Sequence, residues 1–222
     1  MGKFIVHQLS VSGFDNNFSY VVINKEIEQG FVVDPAGDDQ LIKDVLLNYI
    51  EKEGIVFGNI LITHGHNDHS ERTPEIVDFL MDYNVEDVSI VVHENCQLKF
   101  KAPNLKIVKV TDGECLTKLG VKVLFTPGHT FDAVCYLLDD QSAVFTGDTL
   151  FVDDIGFCEA LEMYNSLRNK LWNLPDNCVV YSGHDYGHAK YCSMTEAKQK
   201  NLFFRESSKS FADFKEQLKK LI

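Results

Sequence analysis

The stretch NILITHGHNDHSERTP, residues 59–74, decides how this chain is read. It opens on Ile60-Leu61-Ile62, an apolar and largely β-branched run of the kind that forms a buried strand. Directly behind that run stand His64, His66, Asp68 and His69, three imidazoles and a carboxylate within six positions. Crowding three imidazoles without a metal or a counter-charge costs stability, because each charged ring repels the next and each neutral ring needs a polar partner. A lone histidine after a strand is ordinarily a satisfied surface or core residue. Four metal-type residues in HxHxDH spacing point instead to ligation.

Three further strand ends repeat the pattern. His129 stands in FTPGHT, Asp148 in VFTGDTLF and His184 in VYSGHDYG, and a glycine precedes each of them. Such a glycine suits a tight turn that aims the next side chain off the end of a strand. Taken singly, each of the three reads as structural; as members of a set they do not. Four strand ends thus deliver five imidazoles and two carboxylates, which meet most economically at one point. This donor set, without thiolate, suits zinc, iron or manganese. Seven ligands exceed what one ion takes while keeping a position open for catalysis, so they divide into two sites sharing a carboxylate, with ions roughly 3.5–4 Å apart. His7 and His93 lack such company and read as structural. His188 is a residue of the rim at most.

Length and composition bound the rest. The 222 residues suit one domain, and 45% hydrophobic with 24% charged residues is ordinary globular composition. The formal charge of −12 opposes polyanions, so a nucleic-acid partner is not expected. No apolar run approaches the roughly 20 residues of a membrane span. The start MGKFIVHQLS offers neither a long apolar core nor a cleavage site, and Val6 stands where a myristoylation signal needs Ser or Thr. A cytoplasmic protein is expected, with no membrane partner and with Cys96, Cys115, Cys135, Cys158, Cys178 and Cys192 as reduced core thiols.

The runs FIVHQLSV, FSYVVIN and GFVVDP suggest an antiparallel meander. Helical spacing of Leu41, Val45, Leu46 and Tyr49 predicts a helix over 39–52. Pro74 opens another, with Ile76, Phe79, Leu80 and Tyr83 on one face. Strands are expected in VSIVVH, KIVKV, VKVLFT, AVCYLL, SAVFTG and CVVYSG, the fourth and fifth of these joined by a turn at DDQ. A third helix is predicted over 159–172, with Ala160, Met163, Tyr164, Leu167 and Leu171 inward. The tail from 208 places Phe211, Phe214, Leu218 and Leu221 at helical spacing. Strands interrupted by helices suit two sheets face to face with helices outside, rather than one doubly wound sheet. The expected organisation is a single catalytic domain over 1–222, with residues 195–222 as a helical extension packed on it.

The strings THGHNDH, TPGHT, TGDTLF and SGHDYG, in this order and spacing, resemble the metallo-β-lactamase fold superfamily from about residue 18 to 187. The resemblance implies an α/β four-layer αββα sandwich with the metal site at one edge. It also implies a partition: His64, His66 and His129 on one metal, Asp68, His69 and His184 on the other, Asp148 bridging. TPGHT followed by FTGDTLF, MYNSL and LPDNCVVYSGHDY looks most like the glyoxalase II group, the hydroxyacylglutathione hydrolases. Two departures concern glutathione. The segment VDDIGFCEALEM after the bridging position lacks the arginine that the group uses there and carries Asp153 and Asp154. Only 35 residues follow Gly187, fewer than the helical domain those hydrolases add; Arg72, Lys190 or Arg205 are the substitutes on offer.

The implied chemistry is hydrolysis of a small-molecule thioester, or a related ester, by a hydroxide shared between two divalent ions. Zinc is the first candidate, with iron or manganese as alternatives. Asp68 would ligate and orient the nucleophile, and Tyr186 would hydrogen-bond the substrate. The competing reading is a persulfide dioxygenase with one iron(II) on His64, His129 and Asp148, the remaining four residues supporting them. Cys158 reads as an inert thiol in either case. A sensing or scaffolding role fits the complete ligand set poorly, a β-lactamase role lacks a secretion signal, and the charge opposes an RNA substrate.

Overall fold

The computed structural model describes residues 2–83, 85, 87–100 and 105–220. The chain divides into two compact units, Met1–Val110 with Leu116–Gly120, and Thr111–Cys115 with Val121–Ile222.

The first unit carries a six-stranded sheet in the order β1-β2-β3-β4-β5-β6. β1 (Phe4–Ser10), β2 (Phe18–Asn24) and β3 (Gln29–Val33) form the expected antiparallel meander. From β3 onward the pairing is parallel, through β4 (Val56–Leu61) and β5 (Val88–His93) to β6 (Leu105–Val110). Parallel neighbours need crossovers, and α1 (Asp39–Glu53) and α2 (Thr73–Asp82) supply the first two. Asp38 caps α1 by accepting from the Gln40 N–H, and Gly54 closes it at φ 68°. The stripe that α1 buries is Ile42, Leu46 and Tyr49. Leu41, expected inward, is 40% exposed, because the buried face follows Ile42 one position on. α2 buries Thr73, Ile76, Val77 and Leu80, while Phe79 and Tyr83 pack on each other at its margin. These helices cover Val21, Ile23, Val32, Phe57 and Ile60 on one sheet face. Each large aliphatic buried this way contributes about 1.5–3 kcal/mol.

The second sheet runs β12-β11-β10-β9-β8-β7. β8 (Val121–Phe125), β9 (Val134–Leu138) and β10 (Ala143–Gly147) are antiparallel, and β10 pairs in parallel with β11 (Val179–Ser182). Short strands β7 (Cys115–Leu116) and β12 (Cys192–Ser193) form the edges. The helix predicted over 159–172 is α3 (Ala160–Ser166) continued by a π-helical segment, Leu167–Leu171. The wider turn lets Met163, Leu167 and Leu171 all enter the core of this unit. The end of the chain forms α4 (Met194–Lys200), α5 (Leu202–Ser207) and α6 (Phe211–Leu218). Met194, Ala197, Phe203, Phe204 and Phe214 bury against the strands here, and Leu221 lies outside the described residues. Asn201 starts α5 by accepting from the Phe204 N–H at 2.9 Å, while its amide donates to the carbonyls of Phe151 and Asp154 at 3.0 and 2.8 Å. The tail is thereby tied to the loop after β10. Among the described residues no helix is long and apolar enough to cross a membrane.

Candidate metal centre

β3 and β4 run parallel with Val33 opposite Leu61, so the residues that follow them leave the sheet at the same end. Asp34 comes directly after β3 in the left-handed region, φ 48°, a conformation that non-glycine residues hold only when their surroundings fix it. Its N–H donates to the Leu61 carbonyl at 3.0 Å, and its own carbonyl accepts from Ser19 Oγ at 2.6 Å. The buried carboxylate then accepts three times, from the Thr63 N–H at 2.8 Å, the Thr63 hydroxyl at 2.6 Å and His69 Nδ1 at 3.0 Å.

Those bonds dictate tautomers. A carboxylate only accepts, so His69 carries its proton on Nδ1. The Thr63 hydroxyl spends its proton on Asp34, so at 3.1 Å it accepts from His64 Nδ1. Both rings are left with a bare Nε2. His64 Nε2 lies 3.0 Å from His66 Nδ1, and His69 Nε2 lies 3.6 Å from Asp68 Oδ2. The His64 ring centroid is 4.6 Å from that of His66 and 4.2 Å from that of His69. Asn17 fixes Asp68, its amide donating to both the Oδ2 and the main-chain carbonyl at 3.0 Å.

The second unit repeats the device. β10 and β11 are parallel with Gly147 opposite Ser182, so Asp148 and the Gly183-His184 pair leave the sheet together. Gly147 turns at φ 49° and Gly128, before His129, at φ 148°, where a Cβ would stand 2.7 Å from the Met163 backbone. Gly183 needs no such turn; its N–H continues the ladder to the Gly147 carbonyl at 2.8 Å. The Phe157 carbonyl accepts from His129 Nδ1 at 2.8 Å, which again leaves Nε2 bare. That Nε2 lies 3.5 Å from Asp148 Oδ2, and His184 Nε2 lies 3.3 Å from the same oxygen.

An acceptor nitrogen facing a carboxylate oxygen suits a cation between them. A shared proton would draw the pair to about 2.7–2.9 Å. Two ligands each about 2.0–2.1 Å from a tetrahedral ion stand about 3.3 Å apart, near the separations of 3.3–3.6 Å found in both units. The residues present fit metal ions.

The first unit therefore brings together His64, His66, Asp68 and His69, and the second His129, Asp148 and His184. Tyr186 stacks on His184 at 5.0 Å with 8° between the rings, and the Phe151 ring meets it edge-on at 4.9 Å. His7 bonds Tyr49 Oη at 2.9 Å, and His93 Nδ1 accepts from the Asn95 N–H at 3.2 Å. Arg72 is engaged with the Gly37 carbonyl and Glu75. Cys115 is exposed rather than a core thiol, since the edge strand β7 leaves it outside, and all six cysteines are free. Burial, with Glu159 and Asp154 nearby, pushes the Cys158 thiol up to about 11, which makes it a poor nucleophile. Sequence reasoning missed Asp34, Thr63, Asn17 and the Phe157 carbonyl. Only Asp34 left a trace, as a carboxylate ending the apolar run GFVVD.

A family model described as the metallo-beta-lactamase superfamily matches residues 99–184. A hydroxyacylglutathione hydrolase of Pseudoalteromonas translucida is 30% identical over 202 residues, 89% of this chain and 72% of that protein. A probable polyketide biosynthesis zinc-dependent hydrolase of Bacillus velezensis, BaeB, is 27% identical over 90% of this chain and 87% of its own length. Among solved structures, ETHE1 from Myxococcus xanthus superposes with a TM-score of 0.76 at 27% identity, covering 98% of this chain and 91% of that one.

Proposed function

The chain belongs to the metallo-beta-lactamase superfamily and has its fold, and from that premise we propose that it is a binuclear metal-dependent hydrolase of a small thioester or related ester. One observation carries the reading: a single oxygen, Asp148 Oδ2, is shared by two imidazoles, 3.5 Å from His129 Nε2 and 3.3 Å from His184 Nε2. A carboxylate so flanked suits a bridge between two ions better than a place beside one. In this reading His64, His66 and His129 hold the first ion, and Asp68, His69 and His184 the second. The zinc dependence named for the Bacillus velezensis relative supports zinc, and the hydroxyacylglutathione hydrolase likeness supports a thioester.

When bound, the two ions would supply Lewis acidity and lower the pKa of a shared water toward about 7. The chain supplies orientation. Asn17 holds Asp68 Oδ2 at 3.0 Å, so that Asp68 can accept a proton of the attacking water and aim it. The Asp34 carboxylate and the Phe157 carbonyl keep His69 and His129 in the ligating tautomer. Tyr186, braced between His184 and Phe151, offers its hydroxyl to the substrate carbonyl as charge develops on it.

Metal content per chain, followed by a thioester panel including S-lactoylglutathione, tests the proposal. About two ions and hydrolysis are expected, and Asp148→Asn should abolish turnover while circular dichroism and melting stay near wild type. One iron per chain with no hydrolysis would favour the triad His64, His129 and Asp148 instead. Wild-type turnover in Asp148→Asn would remove the bridge from the mechanism.

A further inference from the structure

The loops that follow β10 and β11 are joined by a charged clasp. The His188 N–H donates to Asp153 Oδ2 at 2.7 Å, and its ring Nδ1 lies 2.9 Å from both oxygens of that carboxylate. Its Nε2 lies 3.1 Å from Glu196 Oε1 on α4, and Lys200 Nζ is 2.6 Å from the same oxygen. Carboxylates only accept, so an imidazole with one at each nitrogen donates to both only as the cation. In the neutral state Nε2 accepts instead, and Lys200 Nζ stands 3.3 Å away to donate. With His188 charged, the four side chains cancel; with it neutral, one negative charge is left in excess.

The clasp sits on the rim of the candidate site. The Asp153 N–H donates to the Tyr186 carbonyl at 3.5 Å, and Tyr186 stacks on His184. A Cβ on Gly187 would lie 2.6 Å from Val152 Cβ, so the two loops touch. The His188 and Asp153 side chains are 42% and 41% exposed, and so open a pair adds little to stability.

We propose that His188 is a specificity-determining residue: in its charged form it cancels the Asp153 carboxylate beside Tyr186 and so admits a thioester whose carrier is anionic. The inference rests on the hydrolase reading. It resolves a difficulty in the sequence, where Asp153 by itself would repel glutathione-like carriers.

The charged groups that meet His188 are Asp153 from the loop after β10 and Glu196 and Lys200 from α4. Cys192 beneath it is buried, its thiol pushed up to about 12 and uncharged. Hydrogen bonds to Asp153 and then Glu196 raise His188 above its ordinary value. Burial raises Asp153, but the bonds from His188 outweigh it and hold that carboxyl low. A raised histidine is fully charged below its ordinary value, about 6.5, and loses its charge as pH climbs through the raised one.

The test compares wild type, His188→Asn and Asp153→Asn on S-lactoylglutathione and on a neutral N-acetylcysteamine thioester, below and above the His188 titration followed by NMR. In the wild type, the ratio of KM for the anionic thioester to KM for the neutral one should rise about threefold across that titration, while any change in kcat is common to both substrates. His188→Asn should show the higher KM at both pH values. Asp153→Asn should lower it and bring the His188 midpoint down. Turnover of both thioesters with one KM ratio at every pH, in wild type and His188→Asn alike, would overturn this inference alone. Turnover of neither by the wild type would overturn the hydrolase reading and the substrate class named here with it.

Discussion

The two ligand clusters are built from the same topology and held by different means. In each unit, neighbouring parallel strands end in register: β3 and β4 set Asp34 beside the segment that carries the first candidate ligands, and β10 and β11 release Asp148 beside His184. The first cluster is then fixed by buried side chains, with Asp34 accepting from Thr63 and His69, and Asn17 donating to Asp68. The second is fixed by backbone, through the Phe157 carbonyl on His129 and the turns at Gly128 and Gly147. Where ligands are crowded in one short segment, a carboxylate can serve several at once. Where they come from three distant segments, each loop has to aim its own.

Three substitutions press on that difference. Asp34→Ala should do the most damage, because it strands the buried Thr63 and His69 donors and frees the His69 tautomer. A loss of about 2–4 kcal/mol in chemical denaturation is expected, with metal affinity down roughly 10–100-fold by titration. Retained affinity would mean that side-chain support is not what holds the first cluster. Gly128→Ala should cost about 1–3 kcal/mol, since the left-handed φ and the 2.7 Å approach to Met163 both oppose a Cβ. An unchanged melting temperature would show that the second cluster tolerates a reshaped loop. Asn17→Ala is the mildest, near 1 kcal/mol, with hydrolysis reduced roughly tenfold through misaimed Asp68. A stopped-flow assay on metal-loaded protein separates that loss from loss of metal.

Much of this was legible in the chain. HxHxDH behind an apolar run announced the first cluster because four ligand-type residues in one segment have few other uses. His129, Asp148 and His184 were legible only as a set, each marked by a glycine. The residues that hold them were not. Asp34 and Asn17 look like ordinary turn residues, Asx types that punctuate loops everywhere. The Phe157 contribution comes from a carbonyl, which every residue has. The inward face of α1 was misplaced by one position at Leu41, since several apolar stripes fit its sequence and only packing chose Ile42. The π-helical turn at Leu167–Leu171 has no sequence mark either.

By itself the sequence determined the candidate ligands' types, their strand-end placement and the family, because donor chemistry and hydrophobic periodicity are local properties of the chain. The tertiary structure alone decided which nitrogen of His64, His69 and His129 carries the proton and that one Asp148 oxygen stands near two histidines. It also decided that Asp153, an apparent repellent, is clasped by His188. Each of these depends on hydrogen bonds between residues far apart in sequence, and such partners exist only once the strands have paired in register.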